Sequence, residues 1–222
     1  IRLSLVGSEM CIRDRVYILT LESAAEMERA FGIPSIADHY TQIASAIRGT
    51  IREKYWDATR GLFADTYDHR SFSQHVNSLA ILAGIVTGEE ATRVMERTLN
   101  DSSLIQATIY FRYYVHQALK VAGMGDHLLD NLQIWRDQMA LGLTTWAEMP
   151  EPTRSDCHAW GASPNIEFFR ILLGIDSNAP GFKSIRIAPS LGDLKEVSGT
   201  MPHPVGSVTA SYKLDKKGKL TA

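Results

Sequence analysis

Residues 35–51, SIADHYTQIASAIRGTI, place Ile36, Tyr40, Ile43, Ala44, Ile47 and Ile51 at three- and four-residue spacing. That is the period of a helix with one apolar face, kept up over about five turns. Pro34 disfavours helical geometry at Ile33 and so should separate this helix from the one before it, with Ser35 as the expected cap. Working outward, the same period continues on both sides. Upstream, Leu19, Ala24, Met27 and Ala30 should form the buried face of a helix that begins near Val16. Downstream, residues 62–67 (LFADTY) read as a short extended piece, followed by helices over 74–86 and 89–99. A longer helix should open at Asp101-Ser102-Ser103, run through Tyr110, Tyr113, Tyr114, Ala118 and Val121, and close at Gly123 and Gly125. Two more are expected, from Asp126 to Gly142 and over 165–173, each ended by a glycine able to take the left-handed cap conformation. Seven helices joined by short loops describe a mainly α chain of helical hairpins.

The period changes after Asp176. Ser177-Asn178-Ala179-Pro180-Gly181 reads as a linker. Ile185 and Ile187, then Val208, Ala210, Tyr212 and Leu214, alternate with polar neighbours as strands do, with a turn at 215–218. A β module is therefore expected from about Phe182. Its few strands would leave an unpaired edge, and the chain stops inside an expected strand. It also starts without Met, so it reads as cut at both ends. Residues 1–15, IRLSLVGSEMCIRDR, resemble translated sequencing-adapter peptide, lack a signal-peptide cleavage site, and are left out of the fold reading together with Cys11.

Composition narrows the function. The 222 residues are 45% hydrophobic and 22% charged, which suits a packed domain and excludes disordered, collagen-like and disulfide-scaffold classes. With 23 Lys and Arg against 25 Asp and Glu, the net charge of −2 provides no basic field for a nucleic acid or an anionic membrane surface. No apolar run reaches the roughly 18 residues of a membrane-spanning helix. Neither nucleic acid nor membrane is an expected partner. Cys11 and Cys157 form no ligand spacing, and there is no phosphate loop, HExxH or GxSxG, so no cofactor and no metal is expected.

The chemistry concentrates in residues 142–161, GLTTWAEMPEPTRSDCHAWG. Sugar cleavage needs carboxylates for proton transfer, aromatic faces for pyranose rings, and polar groups for hydroxyls. This loop has Glu148, Glu151 and Asp156; Trp146 and Trp160; and Thr144, Thr145, Arg154 and His158. Plainer roles compete with these. Trp160 is expected in the core, Glu151 and Asp156 at the surface or as helix caps, and Arg112 either paired with a carboxylate or lying along the surface. His75 and Asn77, at the start of a helix, carry no assigned role.

Thr144-Thr145-Trp146-Ala147-Glu148, followed by His158-Ala159-Trp160-Gly161, resembles the C-terminal active-site motif of bacterial α-L-rhamnosidases, glycoside hydrolase family 78. Tyr110-Phe111-Arg112-Tyr113-Tyr114, Ala118-Leu119, Gly123, Gly125-Asp126, residues 168–175 (FFRILLGI) and residues 180–189 (PGFKSIRIAP) are similar to that family in the same order. The similarity runs from about Val16 to Ala222. It implies the second half of an (α/α) six-hairpin barrel over 16–175, followed over 176–222 by the start of a C-terminal β-sandwich. It implies removal of terminal α-L-rhamnose from a rhamnose-containing glycoside or polysaccharide, with inversion. Glu148 falls on the family's general base, with His158 and Trp146 as substrate contacts. The family's general acid sits in an upstream motif that has no match in this chain. A periplasmic or secreted location is favoured over a cytoplasmic one. The rival readings are a six-hairpin glycosidase of other sugar specificity and a non-catalytic helical-array interaction protein.

Overall fold

The computed structural model describes residues 11–150 and 152–222, which form two compact units divided between Ala107 and Thr108. In the first unit, α1 (Cys11–Phe31) and α2 (Pro34–Tyr55) pack against each other across the Gly32-Ile33 link. Ile33 is extended (φ −110°, ψ 113°) and Pro34 opens the helix, so Ser35 lies inside α2 and caps nothing. A proline at the first helical position needs no N–H partner, and that moves the start one residue upstream. The α2 stripe holds: Ala44, Ile47 and Ile51 are buried, with Ile36, Tyr40 and Ile43 half-buried beside them.

The α1 face differs from expectation. Its buried side is Arg15, Ile18, Leu21 and Ala25, while Met27 is 67% exposed and Ala30 is exposed. Apolar residues occur on both sides of this helix, so spacing alone does not choose between two faces. Arg15 is fully buried, its guanidinium over the rings of Phe63 and Tyr55 at 5.4 and 6.0 Å.

A two-residue hairpin, β1 (Trp56–Asp57) and β2 (Leu62–Phe63), leads to α3 (Gln74–Leu82) and α4 (Gly88–Asn100). Ser73 caps α3 by accepting from the Val76 amide. Asn77 is buried, accepting from the Phe63 amide (2.8 Å) and donating to its carbonyl (3.1 Å). It therefore acts as a substitute strand partner for β2.

The helix expected from Asp101 starts only at Arg112. Upstream of it the backbone is already committed: the Ile105 amide donates to Phe72 O, the Gln74 amide to Ile105 O, and the Ala107 amide to the Gln74 side chain. Asp101 instead accepts from the Ser103 amide and hydroxyl and pairs with Arg60.

The second unit holds α5 (Arg112–Val121), two single 3₁₀ turns at 125–127 and 129–132, and α6 (Gln133–Ala140). The helix expected from Asp126 is thus broken into 3₁₀ pieces before α6. After the loop come a 3₁₀ turn at 159–162 and α7 (Pro164–Glu167), which continues as a π turn over 168–172. Ile109, Leu128, Leu132, Trp135, Ile171 and Leu172 form the core under these elements.

β3 (Ile175–Ser177) pairs antiparallel with β4 (Ile185–Ile187), so the expected linker 177–181 lies within a hairpin closed by residues 178–184. β5 (Glu196–His203), β6 (Gly206–Leu214) and β7 (Leu220–Thr221) form an antiparallel sheet in that order. Ala210 and Tyr212 turn inward from β6 to meet Leu173, Ile175, Leu191 and Met201, and the Tyr212 hydroxyl donates to Leu173 O at 2.9 Å. The described residues are thus mainly helical, with three small antiparallel sheets.

Candidate active site

α6 stops at Gly142 (φ +82°), and the following loop is sewn down by backbone bonds. The Ala147 amide donates to the Gln138 side chain (3.0 Å), the Glu148 amide to Ser155 O (2.9 Å), and the His158 amide to Trp146 O (2.7 Å). Thr145 donates its hydroxyl to Asp156 O at 2.6 Å. The segments 145–148 and 155–158 therefore run beside each other without forming a regular strand pair. This is what brings Glu148 and His158, far apart in the loop sequence, into one place.

Glu148 has a side chain only 18% exposed, and both its carboxylate oxygens are engaged by Arg154, whose own side chain is 77% exposed. The Arg154 hydrogen bonds hold the carboxyl below its ordinary range, partial burial works against that, and the charges of Arg154 and His158 add to the lowering. His158 is half-buried and stands edge-on to Trp160, with ring centroids 5.4 Å apart at 89°. Asp156, Thr144 and Cys157 are exposed, and the Cys157 thiol is free. Glu151 lies outside the described residues.

The two loop tryptophans part company. Trp146 is half-buried and packs against the core cluster. Gly161 permits this: a Cβ there would stand 2.7 Å from that of Trp146. Trp160, expected inside, is 61% exposed and lies over Tyr110 (4.5 Å between ring centroids). The core tryptophan is Trp135, whose indole N–H donates to Gly161 O at 2.6 Å and so ties the far end of the loop to α6. Of the two roles open to Arg112, no carboxylate partner is found among the described residues; the side chain is half-buried, burial lowers its pKa, and its Nε has no hydrogen-bond partner.

Sequence reasoning missed one cluster. His116 on α5 and Glu167 on α7 are fully buried and joined Nδ1 to Oε2 at 2.5 Å, with the His116 ring 5.6 Å from that of Trp135. The available signal was an acidic residue inside the helical run 166–173, whose other residues are apolar apart from Arg170. Among the described residues, no group of three His, Cys, Asp or Glu side chains could hold a metal ion, and no helix is long and apolar enough to cross a membrane.

Residues 174–222 match the family described as bacterial alpha-L-rhamnosidase C-terminal domain. The structure is similar to that of a family 78 rhamnosidase from Bacillus sp. GL1, with a TM-score of 0.79 and 26% identity over 91% of this chain. It shares its fold with a Klebsiella oxytoca rhamnosidase solved with rhamnose bound, at a TM-score of 0.66 and 20% identity over 73% of the chain. A comparison with curated protein sequences finds no match. The chain spans only 23% and 34% of the two solved proteins. It is thus related to the bacterial α-L-rhamnosidases, and its fold is rhamnosidase-like.

Proposed function

We propose that this chain is the base-bearing part of a glycoside hydrolase that removes terminal α-L-rhamnose with inversion. In this reading residues 16–175 form the second half of an (α/α) six-hairpin barrel and residues 176–222 the start of a β-sandwich. The substrate is a rhamnose-containing glycoside or polysaccharide. The observation that carries the reading is the placement of Glu148: a carboxylate held ionised by Arg154, on a loop fixed by backbone bonds, beside His158.

An inverting enzyme needs a carboxylate on one face of the sugar to take a proton from water. It also needs a carboxylic acid about 6.5–9.5 Å away to protonate the leaving oxygen. Glu148 fills the first role once Arg154 swings aside, and the acid comes from outside this chain. His158 donates to a sugar hydroxyl and Trp146 lines the pocket wall.

In the intact enzyme, Glu148→Gln keeps the shape but removes the proton acceptor. We expect kcat on p-nitrophenyl α-L-rhamnoside to fall on the order of 10²–10⁴-fold with KM little changed. Added azide, attacking from the water's side, should restore part of the rate. Asp156→Asn, on an exposed side chain of the same loop, should retain near wild-type activity. The assignment fails if Glu148→Gln keeps more than half of kcat while Asp156→Asn abolishes it.

A further inference from the structure

We infer that the buried His116–Glu167 pair is a positioning device: it fixes the ring of Trp135, and through Trp135 the far end of the loop that carries Glu148 and His158. The two side chains are fully buried and join α5 to α7 by one bond, His116 Nδ1 to Glu167 Oε2 at 2.5 Å. A hydrogen bond is directional, so it sets the plane of the imidazole in a way that packing alone does not. The ring held in this way lies against the indole of Trp135, with centroids 5.6 Å apart and planes at 43°. Trp135, only 3% exposed, donates its N–H to Gly161 O at 2.6 Å, and the Gly161 amide donates in turn to His158 O at 3.0 Å. A continuous line of contacts therefore runs from the pair to His158.

The same helix grips the loop at a second point. Gln138 follows Trp135 by three residues, on the same face of α6, and its side-chain oxygen accepts the amide of Ala147 at 3.0 Å. The loop is thus held immediately before Glu148 and again three residues beyond His158. Stability does not require polar groups behind this clamp, since replacing a buried polar pair by apolar side chains of similar volume is often neutral or stabilising. What an apolar pair lacks is a bond that fixes orientation. The role of the loop in sugar cleavage rests on the glycosidase reading above, whereas the coupling of the pair to the loop rests on these contacts alone.

The test compares the 222-residue chain with two variants. His116→Phe combined with Glu167→Met keeps a ring and the volume but loses the bond, and Glu167→Gln keeps a hydrogen-bonding partner for His116 Nδ1. Hydrogen exchange is followed by NMR at the Trp135 indole N–H and at the His158 and Gly161 amides, with the amides of β6 as the control, and stability by urea unfolding. In the double variant the unfolding midpoint should stay at or above the wild-type value, while exchange at the three sites quickens on the order of tenfold and β6 is unchanged. Glu167→Gln should keep wild-type exchange. Unchanged exchange in a stable double variant overturns the inference and leaves the pair as packing. A double variant that fails to fold, or that exchanges faster throughout β6 as well, also overturns it, because the pair then serves stability; so does a Glu167→Gln chain as loose as the double variant. In the intact enzyme the double variant should lower kcat about tenfold with KM little changed. An undiminished kcat in an enzyme whose rate depends on Glu148 overturns the positioning role. Failure of the glycosidase reading shows separately, in the Glu148→Gln rate and its azide rescue, and leaves the exchange result as it stands.

Discussion

Glu148 faces two opposing demands. The proposed base must be ionised, which Arg154 favours, and must present a lone pair to water, while Arg154 takes one on each oxygen and crowds the carboxylate. The conflict is resolved by exposure. Arg154 is mostly in solvent, so its guanidinium can return to water when it leaves Glu148. Because the folded-state pKa of Glu148 is depressed, the ionised pair is fully present above the ordinary carboxylate range near 4.3. It is lost as pH falls through the lower folded value. Arg154→Ala should therefore raise the Glu148 titration midpoint toward the ordinary value, as followed by carboxyl carbon NMR; an unmoved midpoint would show that Arg154 is not the cause. At this scale the sequence was only partly informative. The 142–161 loop announced itself by its residue types, but no local signal told which tryptophan turns outward. The same holds for the His116–Glu167 pair, since the two residues meet through tertiary packing across fifty-one positions.

Elements whose apolar residues sit on one side were legible, and those whose fate depends on distant partners were not. The α2 stripe and α4 follow their periodicity because their polar faces leave a single way to bury them. Residues 101–111 carry helical spacing, yet the Ile105 and Ala107 amides and the Ile105 carbonyl are taken by Phe72 and Gln74, some thirty positions away. β5 escaped notice because Gly199 and Pro202 blur its alternation; as an edge strand it tolerates the proline. Gly174 read correctly as a helix stop, but its full reason is tertiary. At φ +67° an added Cβ would stand 2.1 Å from the Ala188 carbonyl carbon and 2.3 Å from Pro189 N, backbone atoms that cannot give way. Gly174→Ala should cost well over about 1 kcal/mol in urea unfolding. Gly49→Ala, in the exposed run of α2 with nothing within 4 Å, should instead stabilise by about 0.5–1 kcal/mol. Equal responses at the two sites would refute the distinction.

At the scale of the whole molecule, all the proposed site residues, Trp146, Glu148 and His158, fall in the unit that begins at Thr108. In the proposed reading Glu148 is one carboxylate of an acid and base pair, and the acid motif of the family that the sequence resembles has no match in this chain. We therefore expect the 222-residue chain alone to release no p-nitrophenol from p-nitrophenyl α-L-rhamnoside. Release that vanishes in Glu148→Gln would overturn this expectation. The free thiol beside His158 has a practical consequence. Cys157 is exposed on the loop that carries Glu148 and Arg154, so the loop holds its own attachment point for a probe. With Cys11 changed to serine, a nitroxide or fluorophore at Cys157 would report on the departure of Arg154 from Glu148 as a change in label mobility, turning an inferred rearrangement into a spectroscopic signal.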